Sequence, residues 1–108
     1  MKTDYDLIVT IINRGYADYV IKVAREAGAS GGTIINARGS VKNGEENKFM
    51  GVTIQPEKEM VITLVKHEEK NKIMQEITDK SKLEENGHGI CFSLPASRVV
   101  GIAEQKKD

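Results

Sequence analysis

Two stretches of this chain fail to alternate between apolar and polar residues, and the failure is informative. Leu7-Ile8-Val9-Thr10-Ile11-Ile12 and Met60-Val61-Ile62-Thr63-Leu64-Val65 are apolar and β-branched on both alternating faces, as expected of strands buried on two sides. After the first, Tyr16, Val20, Val23 and Ala27 recur at helical spacing with Ala17 and Ala24 beside them, and Gly28 stands where a C-terminal cap belongs. After the second, Glu68 and Glu69 open a segment whose Ile73, Met74 and Ile77 share one helical face, and Lys80 and Lys82 close it. Acids at the start and bases at the end suit the helix dipole. Each helix is followed by a pair of glycines and another strand, Gly31-Gly32-Thr33-Ile34-Ile35 and then Gly87-His88-Gly89-Ile90-Cys91-Phe92-Ser93-Leu94. The order is β-α-β, a long polar segment, and β-α-β again.

Two such units with right-handed crossovers predict an α+β chain of the ferredoxin-like βαββαβ kind: a four-stranded antiparallel sheet with two helices on one face and a long loop between strands 2 and 3. Helices on one face require strands that are apolar on one side only. The first and third strands are apolar on both, so the second face also needs cover, and a homo-oligomer packed sheet to sheet is the expected solution.

At 108 residues the chain is expected to form one domain, residues 1–108, burying roughly two-thirds of its unfolded surface. Its 16 basic and 16 acidic residues cancel, which removes the broad positive footprint of a nucleic-acid binder. The apolar runs are about six residues long, too short for a membrane span or a signal-peptide core, and Asp4 and Asp6 stand before the first of them. No direct membrane insertion and a cytoplasmic location are expected. The single cysteine, Cys91, excludes an intrachain disulfide and a multi-cysteine zinc site. No serine, threonine or cysteine has a recognisable base partner and no phosphate loop ends in Lys-Ser/Thr, so an enzyme reading finds little support. His67-Glu68-Glu69 reads as a solvated helix start, because adjacent helical residues diverge and do not converge on one metal ion; no metal site is expected.

The segment Gly31-Gly32-Thr33-Ile34-Ile35-Asn36-Ala37-Arg38-Gly39, the long loop after it, and Gly87 through Pro95 with Val99-Val100 together resemble the PII signal-transduction superfamily, and its PII-like branch in particular. The likeness spans essentially the whole chain. It implies a ferredoxin-like homotrimer with ligand clefts between subunits and a T-loop, here about residues 39–57, that docks on a regulated transporter or enzyme. It also implies a small effector, an adenine nucleotide such as ATP, ADP or AMP, often accompanied in the family by 2-oxoglutarate and magnesium. Position by position, Thr33 and Gly39 correspond to residues that approach the nucleotide, and Gly87 and Gly89 to the glycines of the family's B-loop. Lys42-Asn43 stands for the loop's Arg-Gln pair, with Arg38 nearby. His88, between the two glycines, is a candidate contact to a phosphate or a base, and such a contact is expected to be pH-sensitive. The plainer reading of Gly87-His88-Gly89 is a helix-to-strand turn. Lys42, Asn43, Glu45, Glu46, Lys48 and Phe49 form the expected partner-binding part of the loop.

The likeness has gaps. Ile90 replaces the B-loop lysine, and Gly101 and Ala103 replace two basic residues on the last strand, so several charge-assisted phosphate contacts are missing. The three tyrosines, Tyr5, Tyr16 and Tyr19, all precede the loop, and uridylylation of a loop tyrosine is not expected. The alternative function is a ligand-independent interaction module on the same trimeric fold; a metal-tolerance protein of that fold is disfavoured by the lack of clustered His and Cys.

Overall fold

The computed structural model describes residues 4–39, 47–49, 52–54, 57–85 and 88–102. In chain order the elements are β1 (Tyr5–Asn13), α1 (Ala17–Glu26), β2 (Thr33–Arg38), β3 (Asn47–Phe49), β4 (Val52–Ile54), β5 (Glu57–Lys66), a 3-10 turn (His67–Glu69), α2 (Lys70–Lys80) and β6 (Gly89–Pro95). The main sheet runs β2-β5-β1-β6 and every neighbouring pair is antiparallel. This is the ferredoxin-like sheet read from the sequence. One refinement is needed between its second and third strands: β3 and β4 pair as a short separate hairpin, so the third strand of the main sheet is β5.

Register decides which side chains share a face. Ile8 lies opposite Thr63, and Thr10 opposite Val61; these residues with Ile12 and Val65 are buried against Val20, Val23 and Ala24 of α1 and Ile73 and Ile77 of α2. The helix-covered side of the sheet is therefore closed within the chain over β1 and β5, while Ile34 on the edge strand β2, opposite Val61, keeps 38% of its surface. On the other side Leu7 faces Leu64 and Leu94, Val9 faces Ile62 and Phe92, Ile11 faces Met60 and Ile90, and Ile35 faces Met60. Ile35 remains 44% exposed, Phe92 40%, Leu94 47% and Ile90 57%.

α1 ends as its sequence predicts. Gly28 takes φ +125°, its N–H donates to the Arg25 carbonyl, and the Ala29 N–H donates back to Ala24 at 2.9 Å, a Schellman closure that a left-handed glycine permits. Tyr16 differs from expectation. It occupies the N-cap position rather than the buried face of the helix and stays 45% exposed. α2 starts one turn later than the acids imply, because His67, Glu68 and Glu69 form the 3-10 turn before it. The reason lies in Asp6: this buried carboxylate bonds the His67 ring at Nδ1, 2.5 Å away, while the His67 N–H donates to the Asp4 carbonyl.

Candidate functional site

The end of the sheet that carries the long loop is held by side chains from three successive residues of β5. Glu57 pairs with Arg14 and its carbonyl accepts the Arg14 N–H at 3.3 Å. Lys58 donates from Nζ to Asn13 Oδ1 at 2.5 Å. Glu59 accepts the N–H groups of Gly15 and Ala17 on one oxygen, at 2.8 and 3.2 Å, and so caps α1 from a different strand. Gly15 at φ +101° makes the sharp turn between β1 and α1 possible. The hydrogen bond and the attraction of Glu57 push the Arg14 guanidinium above its ordinary range. Arg14 is thus already neutralised by a carboxylate.

Lys58 is the feature that sequence reasoning missed. It is only 7% exposed, and the acceptor of its ammonium is a neutral amide, although buried ammonium groups ordinarily pair with a charge. In the sequence it looks solvated, between Glu57 and Glu59. The signal was the two-residue period: counting back from Leu64, Ile62 and Met60 puts Lys58 on the apolar side of β5. Ala37 lies directly opposite it and Arg38 opposite Glu57. A Cβ on Gly39 would meet the Lys58 stem at an ordinary 3.6 Å, so packing does not explain the glycine there. Arg38, Gly39 and Lys58 consequently lie together at the base of the loop.

His88 and Gly89 stand at the same end of the sheet but on its opposite edge. The His88 ring lies 5.6 Å from the Tyr16 ring, tilted by 56°, with Nδ1 at 3.1 Å from the Ser81 carbonyl; the backbone N–H of His88 donates to the Glu85 carbonyl. Gly89 has a packing reason of its own: a Cβ would lie 2.4 Å from the Ile11 carbonyl oxygen, a distance no side chain tolerates. Next to it, Ile90 turns onto the open apolar face. β5 and β1 separate the edges, so Arg38 and His88 are roughly 14 Å apart at about 4.8 Å per strand.

Thr33 lies elsewhere again, opposite Ile62 and roughly 17 Å along β2 from Arg38. It lines a groove of about 790 Å³ whose apolar wall includes Leu7, Ile62, Leu64 and Ile102, with Lys66 and Glu69 also lining it. Within one chain, then, the expected ligand residues form three groups: Arg38 with Gly39, His88 with Gly89, and Thr33 in the groove. Lys42, Asn43, Glu45, Glu46 and Gly87 lie outside the described residues; Lys48 and Phe49 belong to β3. Among the described residues no cluster of three or more His, Cys, Asp or Glu side chains could hold a metal ion.

Comparison with known proteins gives this arrangement a family. The model of the nitrogen regulatory protein P-II family matches residues 5–106. The chain belongs to the P-II family. Among solved structures, the Arabidopsis thaliana PII bound to citrate has a TM-score of 0.70 at 19% sequence identity, over 94% of this chain and 82% of that one; at that identity the likeness establishes the fold. No curated protein matches the chain. P-II proteins are signalling regulators rather than enzymes, and this chain is a PII-like signalling protein.

Proposed function

We propose that this P-II protein works as a cytoplasmic homotrimer that binds a small effector, an adenine nucleotide, in clefts between subunits, and that its T-loop, about residues 39–57, regulates a membrane transporter or an enzyme. The observation that carries this reading is the open sheet face. Leu7, Ile35, Ile62, Phe92 and Leu94 gather on it in register, and a patch of that kind on a small domain calls for a partner surface. A second copy packed there brings the groove of one chain toward the loop base of the next, which offers the three separated residue groups a common ligand. A groove of about 790 Å³ lies within the usual size range of small-molecule sites, and its apolar wall suits a flat heterocycle. Thr33 lines that groove, Arg38, Gly39 and the buried Lys58 supply the loop-base end, and His88 with Gly89 the start of β6; Lys42 and Gly87, outside the described residues, complete the set assigned to the ligand. The partner-binding part of the loop is Lys42 to Phe49. No helix among the described residues is long and apolar enough to cross a membrane.

Charge favours weak discrimination for polyphosphate. Arg14 is engaged by Glu57 and Ile90 stands in the place of a lysine, so the cations left for phosphate are few. Calorimetric titration with ATP, ADP and AMP tests the reading. Binding of at least one, weakened at least about tenfold in Lys58→Ala through loss of a charged contact, supports it. No heat with any of the three, in a protein that is trimeric, replaces it with the ligand-independent interaction module.

A further inference from the structure

The chain after β6 carries two apolar residues, Val100 and Ile102, with Gly101 between them. In extended backbone, residues two apart point to the same side, yet these two end in different surroundings. Val100 is 79% exposed, whereas Ile102 is 40% exposed and lines the groove together with Leu7, Ile62 and Leu64. The residue between them makes the difference. Gly101 stands at φ +93°, and no atom lies within 4 Å of the position a Cβ would take, so space does not call for a glycine there. The left-handed backbone does. The start of the same segment is held as well: the Ala96 N–H donates to the Tyr5 carbonyl at 3.1 Å, and Tyr5 also lines the groove. Anchored at one end and turned at the other, the segment brings Ile102 to the groove instead of leaving it in solvent beside Val100. The charged residues of that groove are Lys66 and Glu69, whose opposite charges leave it no net charge with which to gather a polyphosphate.

We infer that Ile102 is a specificity-determining residue of the groove, an apolar wall for the uncharged ring of the effector, and that Gly101 is the positioning residue that sets it there. This rests on the reading that the groove takes the effector, and deepens it. Where the family likeness leads one to expect a basic residue for phosphate, this chain has a turn that builds a wall for a heterocycle. The groove holds its ligand by the ring, whatever number of phosphates the ring carries.

Calorimetry with adenosine, AMP and ATP tests the inference, on variants that keep the circular dichroism of the parent. Ile102→Ala should weaken all three by one common factor, about five- to tenfold through lost apolar contact, because a wall for the ring does not sense the phosphates. Gly101→Val, whose β-branched side chain does not settle at positive φ, should lose about as much, and the double variant should lose no more than either alone. Gly101→Asn, which tolerates left-handed backbone, should stay within about threefold of the parent. A loss confined to ATP overturns the inference, since it puts the segment at the phosphates, and an additive double variant removes the positioning role of Gly101. A fall of Ile102→Ala to monomer mass in light scattering overturns it too, because the groove is then a contact between copies. Unchanged affinity for all three ligands in Ile102→Ala defeats this inference and leaves the effector reading standing; no binding of any of them to the parent defeats both.

Discussion

The two faces of the sheet are built from the same kinds of residue and end in different states. On the helix side Ile8, Ile12, Val61, Ile73 and Ile77 are fully buried by contacts inside the chain. On the other side Ile90, Phe92 and Leu94, equally apolar, keep between 40% and 57% of their surface. The first face is paid for by folding alone. The second is only partly covered by folding, and the proposed association of copies is what would complete its burial.

Substitutions on the two faces should separate these roles. Ile77→Ala on the helix face opens a cavity in a packed site and should cost about 2–5 kcal/mol, read as a lower urea midpoint at unchanged slope. Phe92→Asp on the open face should do the opposite: its chain should keep its far-ultraviolet circular dichroism while its mass by light scattering falls to that of a monomer. Equal loss of helicity in both variants would erase the distinction. A smaller effect is expected at the edge between turn and sheet. Glu59→Gln keeps an acceptor for the Gly15 and Ala17 N–H groups but loses its charge at the start of α1, and Glu59→Ala loses both; the second should cost about 1 kcal/mol and the first less, in thermal unfolding.

The smallest effect concerns Cys91, at the boundary of the two environments on β6. Burial pushes its thiol above the ordinary range, opposed weakly by the Thr10 hydroxyl at 3.5 Å. The folded state therefore holds the proton more tightly than the unfolded chain does, so the stability is fully present below the ordinary thiol range and declines as pH rises through and above it. Comparison of Cys91→Ala with the parent should show a shallower alkaline decline in the variant. An identical decline would assign it to other groups.

Much of this architecture was legible because long-range geometry repeats a local period. The matched runs Leu7–Ile12 and Met60–Val65 became the two central strands, and Gly28 closed α1 where expected. The helical count also captured Tyr16, since a spacing rule registers position and not the point at which the helix begins. Contacts between residues distant in sequence had no such signature. Glu59 caps a helix that begins 42 residues before it, and Asp6, read as a polar residue ahead of the first apolar run, is buried on the His67 ring. The candidate site was less legible than the fold. Gly89 is required by the Ile11 carbonyl whatever the ligand, His88 is tied to Ser81, and Lys58 entered only when register showed which side of β5 it occupies. A glycine or histidine matched to a family motif identifies a position; whether that position packs or binds depends on neighbours from other strands.

The central claim is that the open face is an interface between copies of this chain. Sedimentation equilibrium of the wild-type protein at micromolar concentration tests it most directly. The account predicts a single species of three times the 11.9 kDa chain mass, and a stable monomer at that concentration would contradict it.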